Sequence, residues 1–331
     1  MSRDLLFVGV DVGGQTIKAG VVTDQGRALS SISVPTEAWK GQEHGLAQMA
    51  KAVREATQAA GLQLDQIAAI GVATPGTMDI PAGLILDPPN LKPWKNVPVR
   101  AYIEQEFRKP TAFQNDANAA AYGEYWAGVG QGVHSLVLFT LGTGIGCGIV
   151  VGGVIIEGEH SHGAEVGHII IEMSKPRRCG CGGLGHLEAY ASATALAQRA
   201  NEALSAGEPS ILQTRLRDKG QLTPEDAGEI FQAAAAGDAL AQRLVEETAY
   251  YLAVGAVNMM HTIDPDMVVF GGGMTRAGMG FLERIRHHVR EMAFPVPAAK
   301  TQIVYAQLGN DAGFIGAAGC ARILYQKLAS K

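Results

Sequence analysis

Charge of one sign is not present in any large excess. The 331 residues carry 27 Lys+Arg against 32 Asp+Glu, a formal net charge of −5. Such a surface has no general attraction for a polyanion, which argues against a nucleic-acid partner. Long hydrophobic runs are missing too. The longest apolar stretch, Ile145–Ile156, is interrupted by glycines and falls short of the roughly 20 residues of a membrane-spanning helix, so no membrane partner is expected. The opening MSRDLLFVGVDVGG has no apolar core followed by a small-residue cleavage site. Cysteine is scarce: Cys147, Cys179, Cys181 and Cys320 are the only ones. Cys179 and Cys181 stand too close in sequence to pair comfortably with each other. A disulfide framework is therefore not expected, and a reducing, cytoplasmic setting is.

What is present is apolar material and glycine. Apolar residues make up 47% and charged residues 18%, enough for a packed core and too little charge for a disordered chain. At about 150 residues per domain, the length suggests two domains. The 42 glycines fall in short runs without a fixed period, which excludes collagen-like order and makes glycine turns the feature to explain.

The pattern is α/β. Strand-like segments run over Leu5–Asp11, Gln15–Thr23 and Arg27–Pro35, with Asp24-Gln25-Gly26 as a hairpin turn. A helical period over Glu43–Gly61 follows, then a strand at Ile67–Ala73 and a Pro- and Asn-rich loop from Pro81 to Pro98. A helix at Val99–Arg108 and a strand at Thr111–Gln114 lead to Asn115-Asp116. The order then recurs. Strand Ser135–Leu141 reaches a second glycine turn, helices dominate Glu188–Ile263, and strands at Met267–Phe270 and Gln302–Tyr305 flank a helix near Gly280–Ala293. A last helix begins near Asp311. Two halves that each open with a glycine turn suggest duplication of one α/β unit. The basic run Arg284–Arg290 is read as the solvated face of an amphipathic helix whose apolar residues are Phe281, Leu282, Ile285 and Val289.

Three motifs carry chemistry. Asp11-Val12-Gly13-Gly14-Gln15-Thr16 ends a buried strand, and its glycines let backbone N–H groups approach phosphate oxygens. A dinucleotide fold needs a helix at once after such glycines, but strand continues here, which disfavours a Rossmann oxidoreductase. Leu141–Gly146 repeats the construction, and a pair of such turns could grip a nucleotide. Asn115-Asp116-Ala117-Asn118-Ala119-Ala120-Ala121 places a carboxylate where a strand meets a helix. Taken alone, the heptapeptide favours Asp116 as a helix cap over Asp116 as a general base. Finally, His168, Cys179, Cys181 and His186 make a Cys₂His₂ zinc set or, equally, a glycine-rich loop with free thiols and satisfied histidines.

In this order the motifs resemble the ROK family of sugar kinases and repressors, most of all its bacterial ATP-dependent glucokinases. The resemblance runs along essentially the whole chain. It takes in the DxGGxxxK start, the Pro75-Gly76 turn, the Pro89-Asn90-Leu91 loop with Trp94, NDANAAA and LGTGIGCGI. It continues through Gly163-Ala164-Glu165-Val166-Gly167-His168, CGCGGLGHLE, Gly271-Gly272-Gly273 and Leu308–Gly313. It implies an actin-like, RNase H-type fold in two lobes with the active site in the cleft between them. The expected division is a small lobe over residues 1–116, with the helix at about 312–331 packed back on it, and a large lobe over 117–311.

The resemblance also implies roles. Asp116 is the expected base for the sugar 6-hydroxyl. Asn115, Glu165, His168 and Glu188 are expected partners of the other hydroxyls, with Gly76 and Asn90 closing the pocket. Gly13, Gly14, Thr16, Lys18, Thr143 and Gly144 are expected at the phosphates of ATP with Mg²⁺, and Gly272 and Gly273 near the adenosine. His168, Cys179 and Cys181 resemble three ligands of a structural Zn²⁺. His186 stands where the family usually has a third cysteine; imidazole binds zinc well, but its nitrogen lies further from the backbone, so the loop must adjust. Gln15 replaces the family's usual Thr or Ser. A homodimer is expected from the family, as is a polar pocket that takes glucose, with other hexoses, N-acetylhexosamines or a silent sugar sensor as alternatives.

Overall fold

The computed structural model describes residues 5–330. Strands β1 (Leu6–Val12), β2 (Thr16–Thr23) and β3 (Ile32–Pro35) form a meander, followed by helix α1 (Gln42–Ala59) and strand β4 (Ile67–Thr74). A small hairpin, β5 (Thr77–Asp79) and β6 (Leu84–Asp87), precedes α2 (Val99–Phe107), β7 (Thr111–Asn115) and α3 (Asp116–Ala127). The second half repeats the meander as β8 (Ser135–Leu141), β9 (Ile145–Val151) and β10 (Val154–Ile155). Helices α4 (Glu188–Ala191), α5 (Ala193–Ser205), α6 (Leu212–Lys219), α7 (Ala227–Ala235) and α8 (Ala239–Ile263) follow. Strand β11 (Met267–Gly271), helices α9 (Met279–Met292) and α10 (Pro295–Lys300), strand β12 (Gln302–Tyr305) and helix α11 (Ala312–Ala329) end the chain.

The two large sheets have orders β3-β2-β1-β4-β7 and β10-β9-β8-β11-β12. Renumbered within each half, both read 3-2-1-4-5, so the duplicated unit inferred from the glycine turns has the same topology twice. In the first sheet β2 is antiparallel to β1, with Val8 opposite Val21, whereas β4 and β7 run parallel. Contacts group the chain into one unit of residues 1–136, 148–164 and 307–331 and another of 137–147 and 165–306. Helix α3 stays with the first unit because it packs on α11: a Cβ at Gly316 would lie 1.6 Å from the Ala119 carbonyl oxygen. This grouping is drawn differently from a single cut after residue 116.

In the first unit the sheet is covered on both faces, as its parallel strands require. Val8, Val10, Ile70 and Val72 bury with Met49 and Val53 of α1. Phe7, Val22 and Ala69 bury with Phe314, Ile315 and Ala318 of α11. That helix approaches so closely that a Cβ at Gly9 would sit 1.7 Å from the Phe314 oxygen. In the second unit Phe139 of β8 stacks on Phe270 of β11 at 5.3 Å between ring centroids. Helix α9 buries Phe281, Leu282, Ile285 and Val289, as its period predicts, and its basic residues are engaged locally: Arg284 pairs with Glu246, and Arg286 donates to the Ile303 carbonyl.

Several local expectations are corrected. The Pro81–Pro98 segment is not all loop. It contains β6, the edge of a strand pair too short to show a period, and a 3-10 turn at Pro89–Leu91. The third strand begins at Ile32 rather than Arg27, although Ala28 still bridges Val22. Helix α10 has no sign in the sequence, because its prolines at positions 295 and 297 mask a short helix that tolerates proline in its first turn. Among the described residues no helix is long and apolar enough to cross a membrane.

Candidate active site

In the first unit the glycine turn joins β1 to β2 and is closed by a Gly13 N–H to Thr16 carbonyl bond of 2.8 Å. The buried Thr36 hydroxyl donates to the Gly13 carbonyl at 2.7 Å. Gly14 faces Asn90, whose carbonyl oxygen would be 3.2 Å from an added Cβ. Gly76, in the left-handed region at φ 92°, lies against Pro88, so Gly76 and Asn90 belong to one neighbourhood. The Lys18 ammonium is 3.1 Å from an Asp311 oxygen and also donates to the Asn310 carbonyl at 3.3 Å.

Asp11 opens the DxGGxxxK motif, and the sequence reading assigns it no role. Its carboxylate presses on α11, where a Cβ at Gly313 would be 2.2 Å from Oδ2. Burial, and after it the negative charge of Asp116, push Asp11 up to about 7 against the pull of Lys18. Two carboxylates of the first unit are thus close enough to feel each other's charge.

The strand-to-helix junction divides labour between neighbours. Asn115, not Asp116, is the N-cap of α3: its side-chain oxygen accepts from the N–H groups of Ala117 at 2.9 Å and Asn118 at 3.1 Å. Such a cap contributes about 1 kcal/mol. Asp116 is the first helical residue, and its Oδ1 accepts from the Ala117 N–H at 2.8 Å. Beneath them Gln114, 2% exposed, accepts from the Asn115 N–H and the Asn118 amide and donates to Glu157 at 2.7 Å. The sequence gives no signal for Gln114, because its role depends on Glu157 arriving from a distant segment.

In the second unit the turn after β8 is held from α4 and α5. The Gly142 carbonyl accepts from the Ala193 N–H at 3.0 Å, the Thr143 carbonyl from the Thr194 hydroxyl at 2.7 Å, and the Gly144 carbonyl from the Gly142 N–H at 3.0 Å. The Ile145 N–H donates to Glu188 Oε2 at 2.9 Å. A side chain at Gly144 would collide with that carboxylate, its Cβ 2.3 Å from Oε2. Gly142 and Thr143 line a cavity of about 560 Å³ with Phe231, Gly273, Met274 and Arg276. Gly272, at φ 87°, packs against the Leu141 backbone and so sits at the end of β8.

His168, Cys179, Cys181 and His186 converge, with their ligand atoms all within 4.8 Å of one another. Cys179 Sγ is 3.8 Å from His168 Nδ1, and Cys181 Sγ is 3.2 Å from His186 Nδ1. Tetrahedral zinc at ordinary bond lengths sets its ligand atoms roughly 3.3–3.8 Å apart, so this S₂N₂ set fits the ion. The loop accommodates His186 by keeping position 183 small: a Cβ there would be 2.3 Å from the imidazole. Glu165 lies beside the cluster, its Oε2 3.9 Å from His168 Nε2. Glu188 links cluster to turn, because Cys179 Sγ donates to its Oε1 at 3.3 Å.

A model of one family, the ROK family, matches residues 7–323. The chain belongs to the ROK family. It is 36% identical to a glucokinase of Halalkalibacterium halodurans over 95% of this chain and 94% of that protein. Among solved structures, a ROK hexokinase from Thermus thermophilus superposes with a TM-score of 0.81 at 34% identity, covering 99% of this chain and 100% of that one. A ROK family glucokinase from Streptomyces griseus, solved with glucose and AMPPNP, gives 0.78 at 34% identity over 96% and 99%. The fold is the two-lobed, actin-like fold of ROK sugar kinases, and these similarities support sugar kinase activity.

Proposed function

We propose that this chain transfers the γ-phosphoryl group of ATP to the 6-hydroxyl of glucose, with Asp116 as the general base. The observation that carries the reading is the second glycine turn. All three carbonyls of Gly142–Gly144 are bonded within the protein, which keeps partial negative charge away from an incoming anion. Gly142 and Thr143 line a cavity large enough for a nucleoside, and the N–H groups of Thr143 and Gly144 are assigned as the donors to its phosphates.

Phosphoryl transfer needs an in-line hydroxyl, neutralised charge and a proton acceptor. Thr143 and Gly144 in one unit, and Gly13, Gly14, Thr16 and Lys18 in the other, are assigned to the phosphates. Gly272 and Gly273 are assigned to the adenosine. Mg²⁺ bound with the nucleotide would neutralise phosphate charge. Asp11 offers a hard oxygen donor for it beside the first turn, and its raised pKa marks a carboxylate that Lys18 alone does not compensate.

Asp116 takes the hydroxyl proton. Asn115 has its oxygen committed to the helix cap, so its amide N–H₂ is the group it offers to a sugar hydroxyl. Glu165, His168 and Glu188 are assigned to the remaining hydroxyls, with Gly76 and Asn90 shaping the pocket. A sugar that lacks or inverts a hydroxyl leaves one of these groups unpaired, which is how such a pocket discriminates. His168, Cys179, Cys181 and His186 would hold Zn²⁺ in a structural role, tying down the loop that carries His168 and leads into Glu188. The protein is read as a cytoplasmic homodimer.

The test is ADP release with ATP against a panel of hexoses and N-acetylhexosamines. Preference for glucose supports the whole reading. Preference for another sugar keeps the kinase and replaces the substrate. Sugar binding with no ADP release from folded, zinc-loaded protein overturns the kinase in favour of a sugar sensor.

A further inference from the structure

We infer that Thr194 is a positioning residue for the nucleotide: its hydroxyl holds the Thr143 carbonyl and so keeps the second glycine turn open to phosphate. The inference rests on the reading of Thr143–Gly144 as a phosphate turn.

Of the three carbonyls in that turn, two are held by backbone N–H groups, from Ala193 and from Gly142. The third, on Thr143, is held by a side chain, the Thr194 hydroxyl at 2.7 Å across 51 positions of sequence. It is therefore the one contact a point substitution can remove. The surroundings leave the hydroxyl little freedom. Ser192, 1% exposed, caps α5 by accepting from the Ala195 N–H at 3.1 Å, and Ala193 is tied to Gly142. Thr194 is then the second residue of a 13-residue helix whose start is anchored on both sides, with a β-branched side chain of restricted χ1.

Thr143 lines the cavity, and on the same turn Ile145 is held by Glu188. Without Thr194 the Thr143 peptide is the segment left to rotate. A rotated peptide presents its carbonyl oxygen, rather than the next N–H, to a polyanion. The cost falls on nucleotide affinity and leaves the sugar contacts in place.

Thr194→Val keeps the shape and removes the donor; Thr194→Ser keeps the donor. KM for ATP and for glucose, kcat, and AMPPNP binding by calorimetry without sugar are measured for wild type and both variants. Thr194→Val is expected to raise the ATP KM and weaken AMPPNP about five-fold, the size of one neutral hydrogen bond, with the glucose KM and Tm unchanged. Thr194→Ser is expected to behave as wild type. Unchanged nucleotide affinity in Thr194→Val, failure of Thr194→Ser to retain wild-type affinity, or an equal loss for both substrates with a lowered Tm overturns the inference. Wild type that binds AMPPNP but phosphorylates no sugar refutes the kinase reading alone, and the calorimetric series still decides Thr194. Wild type that binds no nucleotide overturns both.

Discussion

The two glycine turns occupy equivalent places in the two 3-2-1-4-5 sheets and are closed by similar hydrogen bonds, yet the charge around them differs. The first is surrounded by charge: Asp11 behind it, Asp116 near enough to raise Asp11, and Lys18 drawn to Asp311. The second has no charged residue of its own and is shaped by hydrogen bonds from the α4–α5 corner, Glu188 included. Both turns have a carbonyl held by a threonine hydroxyl, Thr36 at Gly13 and Thr194 at Thr143, while the charge beside them differs. The first turn should therefore answer to pH and charge substitutions, the second to steric and hydrogen-bond substitutions.

The largest effect expected lies at the charged end. Asp116→Asn should cut turnover about 10²–10⁴-fold, the range for a lost general base, with Tm little changed because Asn115 keeps the cap. Turnover at a tenth of wild type would remove Asp116 from the chemistry.

Next in size is the Cys/His cluster that adjoins the second turn. Cys179→Ser should lower zinc content from about one ion per chain and raise the sugar KM on the order of ten-fold, since the loop bearing His168 loses its anchor. Elemental analysis of purified active protein with no zinc would defeat this outright.

A direct contest between the turns follows. Gly144→Ala puts a methyl group 2.3 Å from Glu188 Oε2, whereas Gly14→Ala puts one 3.2 Å from the Asn90 oxygen. Nucleotide affinity should fall more for Gly144→Ala, by roughly ten-fold against about two-fold, because Glu188 can yield to the methyl only by giving up its bonds to the Ile145 N–H and Cys179. Equal losses would say that the second turn is no more tightly built than the first.

The last comparison is read in stability rather than in turnover or affinity. Asp11 has an ordinary value of 3.8 and is raised to about 7 in the fold, so the native state binds its proton more tightly than the unfolded chain does. Stability from this group is complete below pH 4 and is lost as pH rises to about 7. Asp11→Asn should therefore match wild type in Tm near pH 4 and exceed it by a few degrees at pH 8. A Tm difference that does not grow with pH would show that Asp11 is not the strained carboxylate of the first turn.

Much was legible in the sequence where a local rule had only one competitor. The alternation before Asp11-Val12-Gly13-Gly14 and the absence of a following helix gave a β-hairpin turn, and the apolar spacing of Phe281, Leu282, Ile285 and Val289 gave the buried face of α9. Cys179, Cys181, His168 and His186 were readable as a donor set because few residue types bind zinc. At Asn115-Asp116 the local rule had two eligible caps, and propensity does not rank neighbours that both cap well. Only the strand end at Asn115, in register with Thr74, decided which residue met the helix first. Strand β6 and helix α10 escaped because a few residues carry no resolvable period.

What the sequence determined by itself was the kind of protein: periodicity, glycine placement and donor chemistry are local properties, and together they specify an α/β chain with two glycine turns and a loop of four potential metal donors. What only the tertiary structure decided was which groups control which. Gln114 gains its role from Glu157, Thr143 from Thr194, Ile145 from Glu188 and Asp11 from Asp116, all partners remote in sequence. Hydrogen bonds and charge interactions depend on separations of a few ångströms, and no local pattern encodes a distance that the fold must close.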